Sequence, residues 1–237
     1  MKVPAAPTKD GFDFAGWYSD KELKTKYDFS EKVTKSFTLY AKWTEKDNGG
    51  TTPDGAWKNP FTDIHINDWF YDSVKYAYEN GLMKGVSNTE FAPGSDVSRA
   101  MFVTVIYRME NEPQADSCDF TDVERGSYYE KAVAWANANG IVSGVSKDRF
   151  APNDPITREQ MAAIIYRYAT FKGYDITTGS TAYTDNSDIS DYAKDAVTWA
   201  AEKSIMTGNT DGSFAPKANT TRAQAAAVFM RMLENLK

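Results

Sequence analysis

Residues 127–168 read SYYEKAVAWANANGIVSGVSKDRFAPNDPITREQMAAIIYRY, and the same 42-residue frame recurs without a gap at 68–109 and at 191–232. In that register Gly85, Gly144 and Gly208 coincide, as do Phe91, Phe150 and Phe214, the Ala-Pro pairs after them, and Arg99, Arg158 and Arg222. Upstream of each frame stands Phe61-Thr62-Asp63, Phe120-Thr121-Asp122 or Tyr183-Thr184-Asp185, with one extra residue before the third frame. Chance does not give that alignment, so internal repetition organises the chain.

Each unit reads as helix, loop, helix. Asp68, Ser127 and Asp191 are expected to cap the first helix, Ser127 with Glu130 as a capping box. Its buried stripe is Phe70, Val74, Ala77 and Tyr78 in copy one, with Val133, Trp135 and Ala136 at matching places in copy two. Gly81 and Gly140 suit a left-handed helix end, and Ser204 in the third copy predicts a looser or differently turned one. The second helix carries Phe102, Val105, Ile106 and Met109 at helical spacing, matched by Ile164, Ile165 and Tyr168 and by Val228, Phe229 and Met232. Phe91, Phe150 and Phe214 read as core anchors. A two-helix unit of roughly 60 residues buries too little surface to stand alone. Three should pack together with approximate threefold symmetry, placing the helix entrances in the clefts between units.

Those entrances break a rule. Ser98, Thr157 and Thr221 are the N-caps, and Thr157 with Gln160 forms a capping box that Met101 breaks in copy one. The next residue, at the first helical position, is arginine every time. A cation there faces the positive end of the helix dipole and costs roughly 0.3–1 kcal/mol if nothing answers it. Each arginine therefore awaits a negative group, either an Asp of its own or a neighbouring unit, or something outside the protein.

Bulk properties narrow the choice. The chain has 237 residues and a net charge of −6, with 41% hydrophobic and 14% aromatic residues, a composition that supports a real core and argues against an electrostatic grip on nucleic acid or anionic membrane. Residues 1–47 carry +1, so the remainder carries −7, and any anion must be held by local geometry. Cys118 is alone and reads as a buried or incidental thiol; no disulfide framework exists within the chain. No apolar run approaches the roughly 18 residues that span a membrane, and no signal peptide opens the chain. NTDGSF (209–214) lacks the ligands of a calcium loop and reads as a tight turn. His65 has no companion His or Cys, so no metal, cofactor or catalytic set is expected.

Phe-Thr-Asp, the helix, the Gly-containing loop, Phe-Ala-Pro and the motifs SRAM (98–101), TREQ (157–160) and TRAQ (221–224) together resemble three successive S-layer homology domains. The resemblance covers about residues 57–237, as repeats at 57–116, 117–180 and 181–237. It implies a mainly α fold, a pseudo-threefold assembly of the repeats around a central three-helix bundle. It also implies a monomeric anchor that holds a surface protein non-covalently on the bacterial envelope. The partner it implies is a secondary cell-wall polysaccharide bearing pyruvylated N-acetylmannosamine, bound in grooves between repeats.

On that reading the ketal carboxylate answers Arg99, Arg158 and Arg222, beside free helix amides at Ser98, Thr157 and Thr221. Asp63, Asp122 and Asp185 would orient the arginines or accept sugar hydroxyls. Gly85, Gly144 and Gly208 would let a sugar approach the backbone, and Trp69, Tyr128 and Tyr192 would contact a sugar face. The groove built mainly from copy two should be the most regular. Two other classes compete: a protein-interaction scaffold whose clefts take acidic side chains, and a carbohydrate-active enzyme, which needs a matched pair of carboxylates that nothing here marks.

The front of the chain has a different grammar. SFTLYAKW (36–43) alternates like a strand, and Gly11 and Gly16 punctuate the approach to it. GWYSD and TLYAKW resemble the second half of a Listeria–Bacteroides repeat, a small β-grasp-like module of bacterial surface proteins. That implies a partial β module over 1–44 in a chain that begins inside a longer secreted protein, with Met1 added and its sheet edge open to another chain. Residues 45–56 read as a flexible linker.

Overall fold

The computed structural model describes residues 4, 6–9, 12–29, 36–45 and 57–236. Contacts divide the chain into two compact units, Met1–Thr62 and Asp63–Lys237. Gly11 and most of the expected linker, 46–56, lie outside the described residues.

In the first unit, β1 (Phe12–Tyr18) pairs antiparallel with β2 (Tyr40–Glu45). The expected strand over 36–43 therefore starts later and runs further. β1 was not legible, because Gly16 interrupts its alternation. The register slips between Phe14 and Gly16, and Gly16 has φ +124°, a conformation that suits glycine at a bulge. The Phe14 ring packs edge-on to Trp17 of its own strand and to Trp43 across the ladder, at 5.2 and 5.6 Å between centroids.

The second unit is helical. Its three pairs are α1 (Tyr71–Glu79) with α2 (Arg99–Met109), α3 (Glu130–Ala138) with α4 (Arg158–Lys172), and α5 (Lys194–Glu202) with α6 (Arg222–Asn235). The first helices start later than their expected caps. Asp68 instead accepts the N–H of His65 at 2.7 Å, closing a turn, and α1 begins at Tyr71 with no side-chain cap. Likewise the Ser127 hydroxyl is buried without a partner among the described residues, while Glu130 accepts the N–H of Gly126, so the expected Ser127–Glu130 capping box does not form. In the third copy the turn Asp191–Ala193 precedes α5, which also lacks a side-chain cap.

The predicted stripes are buried with three exceptions. Val74, Ala77, Val133, Trp135, Ala136 and the second-helix residues Phe102, Ile165 and Phe229 are in the core, but Phe70 and Met109 are only half-buried and Tyr78 is 38% exposed. Phe91, Phe150 and Phe214 are fully buried, as anchors should be. Ser204 adopts φ +55°, and the amides of Ile205 and Met206 both reach the Ala200 carbonyl, as their counterparts reach Ala77 and Ala136. The expected looser turn is thus not formed; packing of Ile205 and Met206 outweighs the left-handed penalty that Gly81 and Gly140 avoid.

The helix pairs interlock in a cycle. α2 packs on α3, α4 on α5 and α6 on α1, so the second helix of each unit meets the first helix of the next, and the last meets the first. At the helix entrances Val97 N–H donates to Thr220, Thr220 to Ile156 and Ile156 to Val97, at 2.9–3.0 Å. The side chains of all three are buried, and the Thr220 hydroxyl has no hydrogen-bond partner among the described residues.

Candidate functional site

The loop before each second helix is set by an aspartate. Asp63 takes the N–H groups of Phe91 and Ala92 on its two oxygens at 2.9 and 2.6 Å. Asp122 takes those of Phe150 and Ala151, both at 2.8 Å, and Asp185 takes those of Phe214 and Ala215 at 2.8 and 2.7 Å. The clamp explains a strained backbone: Ala92, Ala151 and Ala215 have φ +58°, +58° and +55°, and each precedes a proline. A non-glycine residue there costs roughly 1–2 kcal/mol, which the charged clamp offsets. Burial alone would push the Asp122 carboxyl up, but the Phe150 and Ala151 amides outweigh it and hold it below the usual carboxylate range.

That geometry aims the Phe carbonyls at the arginines. Arg99 Nε donates to the Phe150 carbonyl at 2.9 Å and its Nη2 to Ser143 at 3.3 Å. Arg158 reaches the carbonyls of Phe214 and Thr207 at 2.7 and 2.9 Å, and Arg222 those of Phe91 and Lys84 at 2.7 and 2.6 Å. Each guanidinium also lies over the ring of that phenylalanine, 4.5–4.7 Å from its centroid. Every arginine thus serves the following unit, and Arg222 closes the cycle onto the first. Arg99 and Arg222 are buried and Arg158 half-buried; burial lowers the pKa of all three, against the nearby charges of Asp122, Asp185 and Asp63.

The helix amides are not free, contrary to expectation. Arg99 and Ala100 N–H groups donate to Asp154 and Pro152, those of Arg158 and Glu159 to Ala218 and Pro216, and those of Arg222 and Ala223 to Ser95 and Pro93. The third amide goes to the cap: Met101 to Ser98, Gln160 to Thr157, Gln224 to Thr221. Gln160 and Gln224 return their amide oxygens to the cap N–H, completing two boxes, and Met101 cannot. Backbone carbonyls of the next unit therefore answer the positive end of each dipole.

What stays available is guanidinium. Each arginine uses two of its five N–H donors. Among the described residues no carboxylate lies within 4.0 Å of Arg99, Arg158 or Arg222. Each lines a hollow. Arg99 lies in one of about 380 Å³ with Ser143, Gly144, Gln160 and Tyr192. Arg158 lies in one of about 170 Å³ with Thr207, Gly208, Gln224 and Trp69. Arg222 lies in another of about 170 Å³ with Lys84, Met101 and Tyr128. Every groove therefore draws its arginine from one repeat, its loop from the next and its aromatic from the third.

The remaining expected residues fall as follows. Trp69, Tyr128 and Tyr192 are 63%, 62% and 52% exposed at the groove mouths, Tyr192 donating its hydroxyl to Glu159 at 3.1 Å. The space left by Gly144 and Gly208 is filled by loop carbonyls and by the aromatic that opens the repeat: a Cβ would stand 2.5 Å from the Arg149 carbonyl and 2.7 Å from the Phe120 ring, or 2.9 Å from the Ser213 carbonyl and 2.6 Å from the Tyr183 ring. Gly85 holds the same register position. The aspartates touch backbone rather than the arginines directly.

Sequence reasoning missed a second arginine in every groove. Arg167 lines the Arg99 hollow, Arg231 that of Arg158 and Arg108 that of Arg222. The signal was present: Arg108, Arg167 and Arg231 coincide in the repeat frame, nine residues after the first arginine. Nine residues make two and a half turns, so one helix shows its two arginines to opposite sides and thus to different grooves.

A repeat-built helical unit with grooves at its inter-repeat seams is what these elements define. The S-layer homology domain profile matches residues 60–101, 119–162 and 182–226, more than half of the chain, and the chain belongs to that family. The Listeria–Bacteroides repeat domain matches residues 1–42. An endoglucanase of Bacillus sp. (strain KSM-635) is 38% identical over 176 residues, 73% of this chain and 19% of that protein. The surface-layer 125 kDa protein of Lysinibacillus sphaericus is 30% identical over 72% of this chain and 14% of its own length. The S-layer protein sap of Bacillus anthracis is 27% identical over 75% and 22%. The chain thus spans less than a quarter of these relatives. Among the described residues no helix is long and apolar enough to cross a membrane.

Proposed function

We propose that the helical unit is a non-catalytic anchor that attaches a surface protein to the bacterial cell wall by binding an acidic secondary wall polysaccharide in its inter-repeat grooves. The observation that carries this reading is the triplet Arg99, Arg158 and Arg222, each with three unused donors, no carboxylate of the described residues within 4.0 Å and a hollow beside it. A pyruvate ketal supplies the missing carboxylate, and a charge-assisted contact of that kind is worth ~1.5–3 kcal/mol. Exposed Trp69, Tyr128 and Tyr192 offer flat faces for sugar rings at the rims.

The cyclic hydrogen bonding supports a pseudo-threefold arrangement of the repeats 57–116, 117–180 and 181–237, with α2, α4 and α6 as the central bundle. Several modest grooves acting on one polymer add avidity. The S-layer proteins among the relatives point to the same place of action, outside the cell, and the module at 1–44 would belong to the cargo side.

The test acts on the ligand and leaves the protein intact. Purified pyruvylated wall polymer is compared with the same polymer stripped of its ketal pyruvate, by calorimetry or surface pull-down. Loss of binding on stripping is expected. Equal binding to both refutes the acidic-ligand reading.

A further inference from the structure

Resting on that reading, we infer that the groove between α2 and α4 holds the ligand's acid in a two-guanidinium clamp, Arg99 with Arg167, and that this groove binds more tightly than the Arg222 groove. Both side chains converge on one residue. Arg99 Nη2 donates to the Ser143 carbonyl at 3.3 Å, and Arg167 Nη1 approaches the Ser143 hydroxyl at 3.5 Å, the outer limit of a hydrogen bond. Both line the largest of the three arginine hollows. Among the described residues neither has a carboxylate within 4.0 Å.

Two like charges are therefore drawn together over one neutral residue, with no carboxylate of the described residues in direct contact with either. They sense each other: beyond the effect of burial, and against Tyr192, Asp154 and Asp122, Arg167 helps to lower the Arg99 pKa. Tyr192, held by Glu159, lies on the same hollow, and its tether keeps an aromatic face at the mouth. A carboxylate has two oxygens and can bridge two planar guanidinium forks, an arrangement that a single arginine or a lysine does not supply.

The Arg222 groove shows the contrast. Its second arginine, Arg108, is already engaged: Nη1 donates to the Leu82 carbonyl at 3.2 Å, and Nε lies 3.9 Å from Glu112. Where Gln160 offers an amide in the first groove, Met101 offers none. That groove keeps a cation but loses the fork pair.

The probe is the methyl glycoside of 4,6-pyruvylated N-acetylmannosamine, titrated into the full chain beside its carboxylate methyl ester, which keeps shape and removes charge. Wild type should prefer the acid. Arg167→Met should weaken the site that Arg99→Met abolishes at least tenfold, and Arg167→Lys, which keeps the charge without the fork, by about threefold or more. Arg108→Met should change that site by less than threefold. Urea midpoints and circular dichroism identify any misfolded variant, and the lysine variant then carries the test. If wild type prefers the acid but Arg167→Met and Arg167→Lys both bind like wild type, the clamp is overturned and the acidic-glycan reading stands. If wild type binds acid and ester alike, both fall.

Discussion

Asp122→Asn tests the physical link between the repeat motif and the grooves. The carboxylate holds the N–H groups of Phe150 and Ala151, each at 2.8 Å, one on each oxygen. An amide keeps one acceptor and turns a donor toward the other N–H. Losing one bond to a charged acceptor costs ~1.5–3 kcal/mol and weakening the other from charged to neutral costs ~0.5–1.5, so destabilisation of about 2–4.5 kcal/mol is expected. The Arg149 contact at 3.6 Å, with that side chain 63% exposed, adds little. Domains of this kind have only about 5–15 kcal/mol in total, so the change is large. It also frees the Phe150 carbonyl that seats Arg99. Urea unfolding followed by far-ultraviolet circular dichroism measures it, with Asp191→Asn as control, since Asp191 is solvent-exposed and pairs with the exposed Lys194. A loss below about 1 kcal/mol for Asp122→Asn would refute the clamp and with it the account of how the left-handed Ala151 is held.

Three further outcomes are expected. Thr220→Val removes a buried, unpartnered hydroxyl among Val97 and Ile156 and should stabilise the fold by about 1 kcal/mol, read as a rise of about 2–4 °C in thermal midpoint. Ser204→Gly relieves a φ of +55° and should stabilise by roughly 0.5–1 kcal/mol in urea unfolding. The Asp122, Glu110 and Glu159 carboxyls are all held below their ordinary values, burial pushing each up while hydrogen bonds and neighbouring lysines outweigh it for the latter two. Groups whose pKa is depressed on folding contribute stability above their unfolded pKa. The urea midpoint should therefore stay level from pH 7 to 5, as regards these groups, and fall as pH drops below about 4.

The repeat frame made the helices, the core anchors Phe91, Phe150 and Phe214 and the three leading arginines legible, because each is a local pattern read three times. What escaped was tertiary. Nothing local tells that Arg99 answers to Phe150 rather than to its own unit, since the partners are 51 residues apart. The left-handed alanines were hidden as well, because Ala-Pro ordinarily signals extended backbone. Asp68 and Ser127 look like helix caps by type, yet Asp68 closes the turn before α1 and the Ser127 hydroxyl caps nothing. Arg108, Arg167 and Arg231 were visible in the alignment but lay out of phase with the site that the first arginines suggested.

The bond from Arg222 back to Phe91 and Lys84 spans 131 and 138 residues. A stack of units open at both ends could lose or gain a member and still leave its inner members satisfied. A closed circle has no outermost member to sacrifice. Each unit's loop waits for a side chain supplied by its predecessor, and the first waits for the last. A polypeptide emerging amino end first therefore cannot complete its opening groove until α6 has arrived, and trimming that helix unseats the other end of the unit.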